Sequence, residues 1–201
     1  MDFRCEWTRG LSAREAIDVR RRVYTEEFGF DLGETAVDEF DERAYHLLAT
    51  TTSGEPVASL RLIDSPERPF EIERFLDLTP YLGPTWHPAE ITRLCILAPF
   101  RRITRAAFVH LVLLEGVLRL TLRLGVTHVV ASSRDDLMPV YQYLLFDTYQ
   151  HVTYQHPEIG DAKHTLMSLD LETFPERCRR ARPTLYRAVE AALAHNREEQ
   201  A

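Results

Sequence analysis

Lysine is almost absent from this chain. One, Lys163, stands among 24 basic residues, so the cationic side chains are nearly all arginine. Against 31 acidic residues they leave a formal net charge of −7. That balance excludes general nucleic-acid binding, which needs a basic surface to neutralise phosphates. The arginine bias is compositional, yet each guanidinium remains a bidentate anion binder that keeps its charge. Cysteine is scarce as well. Cys5, Cys95 and Cys178 lie far apart and form no CxxC pair, which argues against a disulfide framework or a structural zinc site. Asp38 and Asp41 have no third ligand at suitable spacing, so no other metal is expected. No long apolar run is present either. The greasiest stretch, 108–124, is broken by His110, Glu115, Arg119 and Arg123, so a membrane span is not expected. Residues 1–6 lack the basic-then-apolar layout of a signal peptide, and a cytoplasmic protein is the expectation.

What is present fits one α/β domain over residues 1–201, with 45% apolar and 27% charged residues. Ser12-x-x-Glu15 has the form of a capping box, predicting a helix whose stripe runs Ala13, Ala16, Ile17, Val23, Tyr24, Phe28. Arg20 lies inside that stripe, where a guanidinium needs an anionic partner. Residues 29–43 read as a loop, and 45–50 and 57–63 as two strands joined by a turn. Residues 64–89 hold five prolines and a helix-like piece at 72–78. A strand at 91–97, a helix at 103–124 ended by Gly125, and a strand at 126–131 make a βαβ unit. Ser133 or Asp135 is expected to cap the next helix. Strands at 149–154 and 165–171 and a helix over 183–196 complete a mixed sheet with flanking helices.

The chemistry concentrates at Glu90-Ile-Thr-Arg93, which opens an apolar strand closed by Arg101-Arg102-Ile-Thr-Arg105. A carboxylate can accept a proton, and a cationic helix start can hold an anion. Together they suit acyl transfer from a phosphate-bearing thioester. Residues three apart on a regular strand point to opposite faces. Glu90 and Arg93 share a site only if the strand is irregular there, and a bulge is expected near them.

Six motifs in order, Arg20-x-x-Val23-Tyr24, Phe28-Gly-Phe30, Asp38-Glu-Phe-Asp41, His46-Leu-Leu-Ala49, Ser59-Leu-Arg61-Leu and Glu90-Ile-Thr-Arg93, resemble the autoinducer-synthase branch of the GNAT acyltransferases. That branch comprises acyl-homoserine-lactone synthases and N-acyl amino acid synthases, and the likeness spans roughly residues 12–150. It implies the GNAT fold, a mixed sheet with two splayed strands. It further implies that Arg20, Asp38, Asp41, Arg61, Glu90 and Arg93 gather into one charged cluster around an amine acceptor, with Glu90 as general base. Tyr24 and Phe30 stand where the lactone synthases have Phe and Trp, which weakens the case for S-adenosylmethionine as acceptor. The family's glycine-rich pyrophosphate loop is degraded at 101–106, as in members that use acyl carrier protein. Arg101, Arg102 and Arg105 would then meet the carrier or its phosphopantetheine. Ser132, Ser133 and Tyr141 would grip the thioester or acyl chain, with Leu111, Leu114, Leu118, Leu144, Leu145 and Phe146 either lining an acyl tunnel or packing as core. No tightly bound cofactor is implied; the acyl-phosphopantetheine thioester is a co-substrate. The readings in play are an N-acyltransferase acting on an amino acid, a lactone synthase, and an inactive carrier- or lipid-binding module.

Overall fold

The computed structural model describes residues 3–33, 35–101 and 103–199. Seven strands form one sheet in the order β1-β2-β3-β4-β5-β7-β6. They are β1 (Phe3–Arg9), β2 (Tyr45–Thr51), β3 (Pro56–Asp64), β4 (Pro88–Ile96), β5 (His128–Arg134), β6 (Asp147–His156) and β7 (Ala162–Asp170). All neighbours are antiparallel except β4 and β5, which the 22-residue helix α2 (Ile103–Leu124) connects. A parallel pair requires such a crossover, so the βαβ unit read from the sequence is present.

Strand parity divides the sheet into two faces. One carries Leu47, Ala58, Leu60, Leu62, Ala89, Ile91, Val129 and Ala131. These belong to the larger core with Val109, Leu113, Val117 and Leu120 of α2 and Leu185 and Val189 of α5 (Pro183–Glu199). The other carries His46, Arg61, Ile63, Glu90, Val130, Leu166 and His164. There a second core forms around Phe40, Ala44, Phe70, Ile72 and Leu78 from the irregular segments after α1 (Arg14–Arg21) and after β3. Loops, not a helical layer, thus cover much of that face, and they bring charged side chains into it.

The sheet opens at its centre. Pairing of β4 with β5 runs only from Pro88–His128 to Glu90–Val130, and beyond that point the strands part. On its other side β4 slips register, Ser59 facing Cys95 but Arg61 facing Thr92, so two residues oppose one. Arg93 sits at the slip with φ +56°. A bulged residue in the left-handed region re-aims its side chain, and here it brings Arg93 to the face of Glu90. The irregularity expected from the spacing is therefore in place.

Several local expectations are corrected. Ser12 does not cap the first helix: it ends a 3-10 turn (Gly10–Ser12), its hydroxyl donates to the Arg9 carbonyl, and α1 begins at Arg14 with Ala13 at the cap. Beyond Arg21 the chain widens into π-helical turns, Arg22–Glu27. In place of the helix-like piece at 72–78 stands a single 3-10 turn, Glu71–Arg74, with a second at Thr79–Tyr81 that has Pro80 in its first turn. Neither Ser133 nor Asp135 caps α3 (Met138–Tyr143), since β5 runs on to Arg134 and Leu137 takes the cap position. Strand β1 and helix α4 (Phe174–Ala181) are additional elements. In β1, Phe3, Cys5 and Trp7 alternate with charged residues as a half-buried strand requires. Among the described residues no helix is long and apolar enough to cross a membrane.

Candidate active site

The charged residues dispersed through the first half of the sequence converge. Arg20 is 2% exposed and donates to both oxygens of Asp41 at 3.0 and 2.9 Å. Arg61, 1% exposed, donates through Nη1 to Asp38 and Asp41 and through Nη2 to Glu71 Oε2 at 2.6 Å. Its guanidinium also stacks over Phe40, 5.4 Å from the ring centroid. Arg93 Nη2 donates to Glu71, to Glu158 Oε2 at 3.0 Å and to Asp38 Oδ2 at 3.3 Å. Arg74 takes the other Glu158 oxygen at 2.9 Å, and the Thr92 hydroxyl donates to Glu71 at 2.7 Å. Buried ions persist when paired and hydrogen-bonded, and each is so here. His46 Nε2, 3.1 Å from the Asp41 carbonyl, braces the same turn.

Glu71 is the hub that the sequence did not disclose. It lies in a proline-rich connection where one more glutamate carries no periodic signal. Its placement follows from Phe70 and Ile72, both buried in the second core, which press the first turn of Glu71–Arg74 against β4. Burial pushes the Glu71 carboxyl up, but the Arg61 and Arg93 guanidiniums, with His156 and Thr92, outweigh it and hold it well below the usual carboxylate range. Glu158, in the turn between β6 and β7, is the other unanticipated member. Asp41 is likewise lowered, burial being outweighed by Arg61 and Arg20.

Glu90 stands beside this network and differs from it. It is 3% exposed, and its two oxygens accept from the backbone N–H groups of Glu71 (2.7 Å) and Ile72 (2.9 Å). These are the free donors at the start of a 3-10 turn, so the carboxylate clamps that turn to β4. No cationic side chain among the described residues pairs with it. Arg20, Arg61, Arg74 and Arg93 already face Asp38, Asp41, Glu71 and Glu158, four charges against four. Burial and the neighbouring Glu71 charge therefore push Glu90 up to about 8, against the pull of its two backbone donors. A carboxyl so raised is suited to exchanging protons near neutral pH.

A cavity of about 420 Å³ passes through the parted sheet. On the face of the charged network it is lined by Glu71, Glu90, Thr92, Arg93, Ser132, Tyr154, His156 and His164. Towards α2 and α3 it is lined by Ile96, Arg101, His110, Ser133, Val140 and Tyr141. Tyr24, Phe28 and Phe30 of the N-terminal segment close one side, Phe30 packing against Gly160 in the β6–β7 turn. Gly160 has φ +67°, and a Cβ there would lie 3.2 Å from the Phe30 ring.

Of the residues singled out in the sequence, Tyr24, Phe30, Glu90, Arg93, Arg101, Ser132, Ser133 and Tyr141 line the cavity. Arg20, Asp38, Asp41 and Arg61 do not; they hold Glu71 and Arg93 in place from behind. Arg101 is half-buried, donating to the Ile96 carbonyl at 2.6 Å and to Glu27. Arg102 and the side chain of Arg105 lie outside the described residues. The leucines considered for an acyl tunnel, with Phe146, pack in or against the larger core instead. Glu71, His156 and Glu158 bring potential ligand atoms within 4.8 Å of one another, but Arg93 Nη2 bonds both carboxylates and already supplies the positive charge there.

Residues 19–111 match the family model of the acetyltransferase (GNAT) domain. In structure the chain is similar to FeeM, an N-acyl amino acid synthase from uncultured soil microbes, with TM-score 0.72 and 14% identity, over 87% of this chain and 93% of that one. It is also similar to the acyl-homoserine-lactone synthase LasI, with TM-score 0.63 and 16% identity, over 85% and 90% of the two chains. The CoA-dependent lactone synthase BjaI, solved with S-adenosylmethionine and isopentyl-CoA, gives TM-score 0.61 and 17% identity, over 96% and 100%. No curated protein matches the sequence. The fold is that of the GNAT acyltransferases.

Proposed function

We propose that this GNAT-fold chain is an N-acyltransferase that moves a fatty acyl group from a phosphopantetheine thioester to the amine of an amino acid or related metabolite. The observation that carries the reading is Glu90: a carboxyl raised to about 8 in the wall of a cavity that crosses the sheet where β4 and β5 part. The amine arrives as an ammonium ion. Glu90 takes one of its protons, and the free amine then attacks the thioester carbonyl carbon. As the C–S bond breaks, the departing thiolate receives the remaining surplus proton, leaving an amide and a thiol. Backbone amides of β4 beyond its last pair with β5 are the donors nearest the tetrahedral oxyanion.

The two faces divide the substrates. The thioester arm runs past Arg101, Ser133 and Tyr141, and the acceptor lies against Glu71, Glu90 and Arg93. Arg93 Nε and Nη1 are buried and have no partner among the described residues, so they are donors for an acceptor carboxylate. Acyl carrier protein is the donor we favour, with Arg101, Arg102 and Arg105 meeting it; acyl-CoA presents the same arm. The likeness to FeeM favours an amino acid acceptor, and that to LasI and BjaI keeps S-adenosylmethionine as the alternative. A further reading, an inactive carrier-binding module, draws on one observation: both Glu90 oxygens already accept backbone bonds.

Incubating the pure protein with acyl-carrier and acyl-CoA thioesters, pooled amino acids and S-adenosylmethionine, followed by mass spectrometry, decides among these. An amide of an amino acid supports the first reading and an acylated lactone the second. Saturable carrier binding without any product would leave the third. A pH prediction accompanies the first. The base acts only when deprotonated, so kcat/KM rises about tenfold per pH unit below the Glu90 pKa of about 8 and levels off above it. A flat profile between pH 6 and about 9 would remove Glu90 as the titrating base.

A further inference from the structure

The β6–β7 wall of the cavity holds polar atoms that the proposed reaction does not use. His156 and His164 are 3% and 6% exposed, both line the cavity, and their ring centroids lie 5.1 Å apart. His156 Nδ1 and His164 Nε2 are buried without a hydrogen-bond partner among the described residues. A buried nitrogen left without a partner is costly, and two side by side in a cavity wall indicate a ligand group. Their place is on the acceptor side. His164 pairs with Arg134 and Tyr154 in the register that puts Ser132, Tyr154 and His156 on the sheet face of Glu90, whereas Ser133 and Tyr141 lie towards the other.

Neighbouring groups set what each nitrogen offers. His156 Nε2 is 3.7 Å from Glu71 Oε1. An ionised carboxylate only accepts, so the neutral ring keeps its proton on Nε2 and presents Nδ1 as an acceptor. Ser132 Oγ lies 2.6 Å from Tyr154 Oη and 3.5 Å from His164 Nδ1. A chain running from Tyr154 through Ser132 to His164 Nδ1 leaves Nε2–H as a donor. Burial, with His156 and Arg134 nearby, pulls His164 down to about 4, so at pH 7 this ring is a neutral partner and not a charge. Phe75, stacked on Tyr154 at 5.1 Å and 4.9 Å from His156, supplies an apolar back wall. One acceptor and one donor at this spacing match a group that both donates and accepts.

We propose, on the strength of the acyl-transfer reading, that His156 and His164 form the side-chain subsite of the amine acceptor. They would select an acceptor whose side chain ends in a hydroxyl or carboxamide over its apolar isostere.

The test uses three near-isosteric pairs as acceptors with one acyl thioester: threonine and valine, tyrosine and phenylalanine, glutamine and methionine. The wild type is expected to prefer the polar member of at least one pair by about tenfold or more in kcat/KM, as sites built for a hydrogen bond do. His164→Phe and His156→Leu should shrink that preference to below about threefold by slowing the polar acceptor. For His164→Phe, which leaves the His156 contact with Glu71 in place, the apolar member's rate and the thioester KM should stay within about threefold, which also shows that this variant folds. A readout that needs no variant is the wild-type Tm, which should rise more with the preferred polar amino acid than with its isostere. Equal use of both members by the wild type overturns the proposal. So does a variant that changes only the thioester KM, since the nitrogens would then serve the pantetheine amides. A wild type that acylates no amine in any pair, yet binds the thioester, overturns the acyl-transfer reading itself.

Discussion

On the proposed mechanism, Glu90→Gln is expected to lower the turnover of amide formation at least about 100-fold while leaving thioester affinity nearly unchanged, in line with typical general-base effects. The amide is close in shape to the carboxyl but takes no proton from an ammonium ion. The same substitution has a second, separable effect. Both Glu90 oxygens accept backbone bonds, from Glu71 and Ile72, and an NH₂ group accepts neither. One donor is orphaned, at a cost of about 1–3 kcal/mol, visible as a lower Tm. Single-turnover kinetics with saturating thioester read the first effect and thermal unfolding the second. A variant with reduced Tm and wild-type turnover would leave Glu90 as a clamp for the turn at Glu71–Arg74 and remove it from the chemistry.

Arg61→Leu destabilises the fold by about 3–5 kcal/mol, the cost of removing one partner from a buried ionic cluster. Arg61 is 1% exposed and bonds Asp38, Asp41 and Glu71 at once, so leucine leaves those carboxylates facing one another. The loss has a defined pH dependence. Asp41 and Glu71 have folded-state values below their unfolded ones. Their pairing therefore contributes stability above the ordinary carboxylate range, lost as pH falls through the depressed values. Wild type and variant should differ most at neutral pH and converge in acid. Urea unfolding at pH 7 and at a series of pH values running below the ordinary carboxylate range measures this, and a difference under about 1 kcal/mol at pH 7 would contradict the buried-cluster account.

Much of this was readable in one dimension. Helix α2 has the bounds that its apolar run and Gly125 imply, and β2, β3, β4, β6 and β7 stand within a few residues of their periodic patterns. Arg20 within an apolar stripe required an anion, and Asp41 supplies it. The spacing of Glu90 and Arg93 demanded a bulge, and Arg93 provides it. Other signals misled because a tertiary bond competed with a local one. Ser12 satisfies the Arg9 carbonyl, not a helix N-terminus, and the proline-rich connection trades helical bonds for contacts of Phe70 and Ile72 in the second core.

By itself the sequence determined the α/β order, the βαβ crossover and which ionised side chains had to find partners, because periodicity and the cost of burying charge are local properties of residue type and spacing. It did not disclose Glu71 as the hub of the network, nor how two buried glutamates would differ in their hold on a proton. Glu71 and Glu90 are both buried glutamates, 2% and 3% exposed, yet one is driven down by two guanidiniums and the other up by burial and its neighbour. That division depends on distances across three segments of chain, and only the tertiary structure sets them.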